Sequence, residues 1–149
     1  MKDSLQADFE TARRIRHEAR LDLVIPFTTP RLTLTALRAA NRLSAGLDAV
    51  IRLIRVQIVP YPLDLDRSPI AEDFLRAQLE RLPSTLSTRC EVRLAREAEA
   101  GLRGALRKNS VVIVATKKRP WRTGTERLAA HLRRKGHTVV VVPEEANYA

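Results

Sequence analysis

The chain consists of short apolar runs separated by helix-length segments, and this alternation limits its fold more than any other feature. Leu21-Asp22-Leu23-Val24-Ile25-Pro26-Phe27 and Ser110-Val111-Val112-Ile113-Val114-Ala115 are nearly unbroken apolar stretches rich in branched residues. Strands of that kind are buried on both faces, as in a parallel sheet covered by helices. Ala49 to Val59 and Thr138 to Val142 read as strands for the same reason. Arg89 to Leu94 alternates with period two, which predicts one exposed face and a place near a sheet edge.

The intervening segments carry helix signals. Thr28-Thr29-Pro30 places a hydroxyl cap before a first-turn proline, and Leu32, Ala36, Ala39, Ala40, Leu43 and Leu47 form an apolar face that ends at Gly46. Ser68-Pro69 predicts the next helix start, with Ile70, Phe74, Leu75, Leu79 and Leu82 as its buried stripe and Pro83 as its stop. Glu97 to Lys108 predicts a third helix, ended by Asn109. Thr123-Gly124-Thr125-Glu126 has capping-box spacing and opens a last helix that stops at Gly136. The order βαβαβαβαβ predicts an α/β fold: a five-stranded, open, parallel, doubly wound sheet with helices on both faces, Rossmann-like in architecture.

Three regions are expected. Residues 1–20 read as a charged N-terminal helix, with Leu5, Phe9, Ala12, Ile15 and Ala19 at helical spacing. A surface-packed leader, a dimer arm and a lipid-surface helix are all readings of that thin stripe. Residues 21–143 form the α/β domain, and 144–149 a short tail. No apolar run is long enough to span a membrane and no secretory h-region is present, so a cytoplasmic location is expected. The single cysteine, Cys90, excludes an intrachain disulfide and reads as a small hydrophobe on a strand.

The formal net charge is +10, and it is concentrated. Residues 103–137 hold 11 basic side chains and one acidic one, Glu126, while the rest of the chain balances to zero. Open parallel sheets bind ligands at the carboxyl ends of strands where the strand order reverses. With the first and fourth strands as central neighbours, two loops meet there. One is Phe27 to Arg31; the other is Thr116 to Thr125, which carries Lys117, Lys118, Arg119 and Arg122 into a helix start. Free amides at a helix N-terminus attract anions.

From Leu21 to Val142 the chain resembles a universal stress protein domain. The resemblance rests on the element order, on Val24-Ile25-Pro26, and on the strand exit Val56-Gln57-Ile58-Val59-Pro60. It also rests on the closing module of Val111 to Val114, Gly124-Thr125 and Val139 to Val142. It implies a five-stranded doubly wound sheet, a homodimer through strand 138–142, and ATP or another nucleotide as ligand. The family's nucleotide motif is Gly-x-x-Gly, nine residues, then Gly-Ser or Gly-Thr after the fourth strand. Gly124-Thr125 matches its end. Lys117, Lys118, Arg119 and Pro120 stand where the first glycines would, in a shorter loop, and Thr28 and Thr29 replace the acidic residue that commonly follows the first strand. Without glycines the backbone makes no close phosphate cradle, and cations supply charge instead. The chain is similar to divergent members that stand alone or serve as cytoplasmic regulatory domains of transporters.

The expected nucleotide or anion site follows. Lys117, Lys118, Arg119 and Arg122 hold phosphate; Thr123, Gly124 and Thr125 donate from the helix start; Thr28, Thr29 and Arg31 line the opposite wall. Trp121 either stacks on a base or cation or packs onto the sheet end. Two other readings stand beside this one: nucleic-acid binding through the basic 103–137 face, and a ligand-free regulatory or scaffold domain. An enzyme is not expected. His17, His131 and His137 lack metal-ligand spacing, and Asp64 and Asp66 read as turn formers.

Overall fold

The computed structural model describes residues 20–66, 70–82, 88–117 and 124–144. Five strands, β1 (Leu21–Pro26), β2 (Ala49–Ile58), β3 (Thr88–Ala95), β4 (Ser110–Thr116) and β5 (Thr138–Pro143), form one sheet. All pair in parallel, in the order β3-β2-β1-β4-β5. The chain therefore steps outward from β1 to β3, returns to the centre for β4 and ends at the opposite edge. The helices between them are α1 (Pro30–Ser44), α2 (Glu72–Glu80), α3 (Ala98–Ala105) and α4 (Gly124–Arg134). This is the doubly wound α/β fold that the element order predicts. Among the described residues, no helix is long and apolar enough to cross a membrane.

Period-two geometry sends alternate side chains to opposite faces of each strand. Leu23, Ile25, Ile51, Leu53, Ile113 and Ala115 pack on one face with Leu32, Ala36, Leu37, Ala40 and Leu79 of α1 and α2. Val24, Ile54, Val112, Val114 and Val139 pack on the other with Leu102 and Ala105 of α3 and Ala129 and Leu132 of α4. The helix following β1 thus covers one face, and the helix following β4 covers the other. At one point the second layer comes very close. A Cβ added at Gly101 would stand 2.6 Å from Val56 Cγ1 and 2.9 Å from Ala95 Cβ.

Local signals account for most boundaries. Thr29 is the N-cap of α1: its hydroxyl accepts from the Leu32 amide at 3.2 Å, and Pro30 follows at the first helical position. Such a cap is worth about 1 kcal/mol. Gly46 and Gly136 adopt φ of +76° and +90° just past α1 and α4, where a side chain would be strained. The alternating β3 lies at a sheet edge.

Three expectations are corrected. The second helix begins at Glu72, after an Ala71 N-cap with no side-chain hydrogen bond, and Ser68-Pro69 lies outside the described residues. This late start leaves Ile70 before the helix, and Phe74 faces outward at 57% exposure; only Leu75 and Leu79 of the stripe are fully buried. Leu43 and Leu47 are exposed too, because the sheet no longer underlies the end of α1 and the turn after it. The third helix stops at Ala105 rather than Lys108. The helix expected over 1–20, apart from Arg20, and the Thr123 cap lie outside the described residues.

Candidate functional site

At the carboxyl edge of the sheet, β1 and β4 are adjacent, so the loops expected to meet there do leave from neighbouring strands. On the β1 side the threonines serve the backbone. Thr29 caps α1, and the Thr28 amide donates to Thr33 Oγ1 at 3.1 Å. Arg31, exposed on the first turn of α1, has its Nε 2.9 Å from Oε1 of the more buried Glu144. The Glu144 amide in turn donates to the Thr116 carbonyl at 2.8 Å, which fixes this carboxylate beside the end of β4. On the β4 side Lys117 is half-buried, Gly124 is exposed and Thr125 is half-buried at the start of α4. Lys118, Arg119, Trp121, Arg122 and Thr123 lie outside the described residues.

The basic window is divided by the fold. Lys117 follows β4 at the carboxyl edge, whereas Arg107 and Lys108 precede β4 at the amino edge. Arg133 and Arg134 end α4, whose antiparallel run returns them towards the amino edge; Arg133 donates to the Val139 carbonyl at 2.8 Å. The local sequence places all these cations in one stretch, but successive elements run in opposite directions and separate them.

A buried ionic network that the sequence reading missed crosses the amino half of the sheet. Asp22 of β1 is 2% exposed and Arg52 of β2 is 0% exposed. The guanidinium grips the carboxylate with two bonds, Nε to Oδ1 and Nη2 to Oδ2, both 2.7 Å. Nη2 also donates to the Ala105 carbonyl at 2.7 Å, and Nη1 lies 3.3 Å from Oε2 of Glu91 on β3. Ser110 Oγ of β4 donates to Asp22 Oδ2 at 2.5 Å and accepts from the Arg107 amide at 2.7 Å. Four strands and the end of α3 are thereby joined. Burial alone would push the Asp22 carboxyl up, but the hydrogen bonds from Arg52 and Ser110, with the charges of Arg52 and Arg107, together hold it below the usual carboxylate range. The hydrogen bond to Asp22 raises Arg52 in turn, against the opposing effect of burial. The available signal was a charge inside each of two apolar runs, Asp22 in the first and Arg52, with Arg55 further along, in the second: a buried charge must be paired.

Cys90 is half-buried on β3, and burial, aided by the Glu80 charge, pushes its thiol up, away from the nucleophilic thiolate. His131 Nε2 of α4 lies 2.5 Å from Oε1 of Glu99 on α3, and the Arg103 Nε lies 3.4 Å from the same oxygen. Among the described residues, no group of three or more His, Cys, Asp or Glu side chains is placed to hold a metal ion. No family model matches the chain, and comparison with curated proteins gives no match.

Proposed function

We propose that this chain is a universal stress protein-like binding domain that takes a nucleotide or another phosphate-bearing anion at the carboxyl edge between β1 and β4. The observation that carries this reading is the divergence of connections. From adjacent strands, α1 leaves to one face and α4 to the other, and such a point is where open α/β sheets hold ligands. Lys117 and the exposed N-terminus of α4 at Gly124 supply positive charge and amides there. Arg31 must exchange Glu144 for phosphate, so Glu144 acts as an internal competitor. Calorimetric titration with ATP, ADP, AMP and cyclic dinucleotides at low salt tests this. The expected result is binding that Lys117→Gln weakens and that Glu144→Gln strengthens by roughly two- to fivefold, the scale of one exposed charge pair. A folded chain that gives no heat with any of these ligands rejects the nucleotide reading.

The same reading includes a homodimer. Among the described residues β5 is an edge strand paired only with β4, and Val140, Val141 and Val142 along it are half-buried. An unprotected apolar edge favours pairing with a second copy. Light scattering is expected to give twice the chain mass; a monomer at high protein concentration would remove β5 as an interface.

A further inference from the structure

We infer that the amino edge of the sheet holds a second anion site, fitted to a compact polyphosphate. A cavity of about 410 Å3 opens there, lined by Arg20, Arg89, Arg107 and Lys108 together with Asp22, Val50 and Asn109. The cations come from three separate parts of the chain: just before β1, within β3, and in the turn before β4. Only the fold assembles them.

The charge in this cavity is not cancelled. Among the described lining residues Asp22 contributes the only carboxylate, and both oxygens of that group are engaged by Arg52, with Ser110 also on Oδ2. Arg20 places its Nε 2.6 Å from the exposed Asp48. Among the described residues no carboxylate lies within ion-pair distance of Arg89, Arg107 or Lys108. Three like charges held around one concavity raise the local potential and concentrate counter-ions.

The site is also preorganised. The Arg107 amide donates to Ser110 Oγ, which donates to Asp22. The buried ion pair thus anchors the turn that presents Arg107 and Lys108. Asn109, in the same turn, donates its side-chain amide to the Arg20 carbonyl and ties the two cationic segments together. A ligand entering such a site meets less ordering cost. Arginine forks match phosphate oxygens in pairs. Among the described lining residues the cations outnumber every other kind, and Val50 is the one apolar residue. The chemistry selects a short chain of phosphates carrying several charges in a small volume.

Inorganic tripolyphosphate is the probe, titrated calorimetrically into the full chain at low salt, with sulfate as comparison. We expect tripolyphosphate to bind more tightly than sulfate. The double variant Arg89→Gln, Lys108→Gln should weaken binding about tenfold or more, as expected on losing charge-assisted hydrogen bonds. Both side chains are exposed, so the variant should melt with the parent. The proposed carboxyl-edge site would take tripolyphosphate as well, so the heat is fitted to two sites: Lys117→Gln should lower only the affinity that the double variant leaves intact, which separates the two. No binding, binding no tighter than that of sulfate, or a loss in Lys117→Gln at the same fitted site equal to or greater than that in the double variant would each overturn the inference.

Discussion

Arg52→Ala is expected to unfold about 3–5 kcal/mol more easily than the parent chain, because removing one member of a buried ion pair strands the other. Here the stranded group is Asp22, buried with, among the described residues, only the Ser110 hydroxyl still donating to it. The Ala105 carbonyl loses a donor as well. Domain stabilities are on the order of 5–15 kcal/mol, so the loss would leave little margin. Urea denaturation monitored by circular dichroism reads it directly. Arg52→Lys should recover only part of the loss, since an ammonium cannot make the two parallel bonds. The double variant Asp22→Leu, Arg52→Met should be more stable than Arg52→Ala, because it buries no charge. A parent-like urea midpoint for Arg52→Ala would show that the pair contributes nothing.

The same pair makes a signed prediction for pH. The carboxyl of Asp22 is depressed in the folded state. Its contribution is therefore fully present above the unfolded value of about 3.9. It is lost as the pH falls through the lower folded value. The gap between the parent and Arg52→Ala should accordingly narrow in acid, and a gap that widens there would contradict the assignment.

Gly101→Ala is expected to destabilise by about 1–3 kcal/mol, the usual cost of forcing an extra methyl into a packed interior. The expectation runs against helix propensity, which favours alanine over glycine by up to about 1 kcal/mol in a helix interior. Sterics should win because the new Cβ meets not only the Val56 methyls but also Ala95 Cβ at 2.9 Å, which cannot move without its backbone. Adding Val56→Ala should recover part of the loss by removing the nearest contact. At Gly104, on the same helix, nothing lies within 4 Å of an added Cβ, so Gly104→Ala should be neutral or stabilising. Thermal melts of the three variants separate the two effects, and equal behaviour at positions 101 and 104 would rule out close packing as the reason for glycine.

The legible parts of the fold were those with a local cause. Valine and isoleucine runs gave the strands, glycines marked two helix ends, and the alternation of Arg89 to Leu94 placed β3 at an edge. Phe74 misled because helical spacing identifies a stripe without saying how far the sheet extends beneath it. Asp22 and Arg52 were harder. They are 30 residues apart and meet only because β1 and β2 pair in one register, with Asp22 beside Val50 and Val24 beside Arg52. A shift of β2 by one residue would turn Arg52 towards the opposite core. Nothing local to either residue states that register. The candidate site was legible only as a position: the premise that the first and fourth strands are central neighbours, which the element order allows without dictating, located it, whereas the Arg31–Glu144 contact joins segments more than a hundred residues apart.

The two borders of the sheet have consequences for growth. β3 presents Arg89, Glu91 and Arg93 along its length, while β5 presents a row of valines. Charges on one border discourage strand addition and the valines on the other permit it. With β5 as the proposed dimer edge, a building block with one adhesive side would be joined once and then be finished. Fibre extension needs two such sides, so under that proposal the charged border would act as a chain terminator, and neutralising Arg89 and Arg93 would remove the stop.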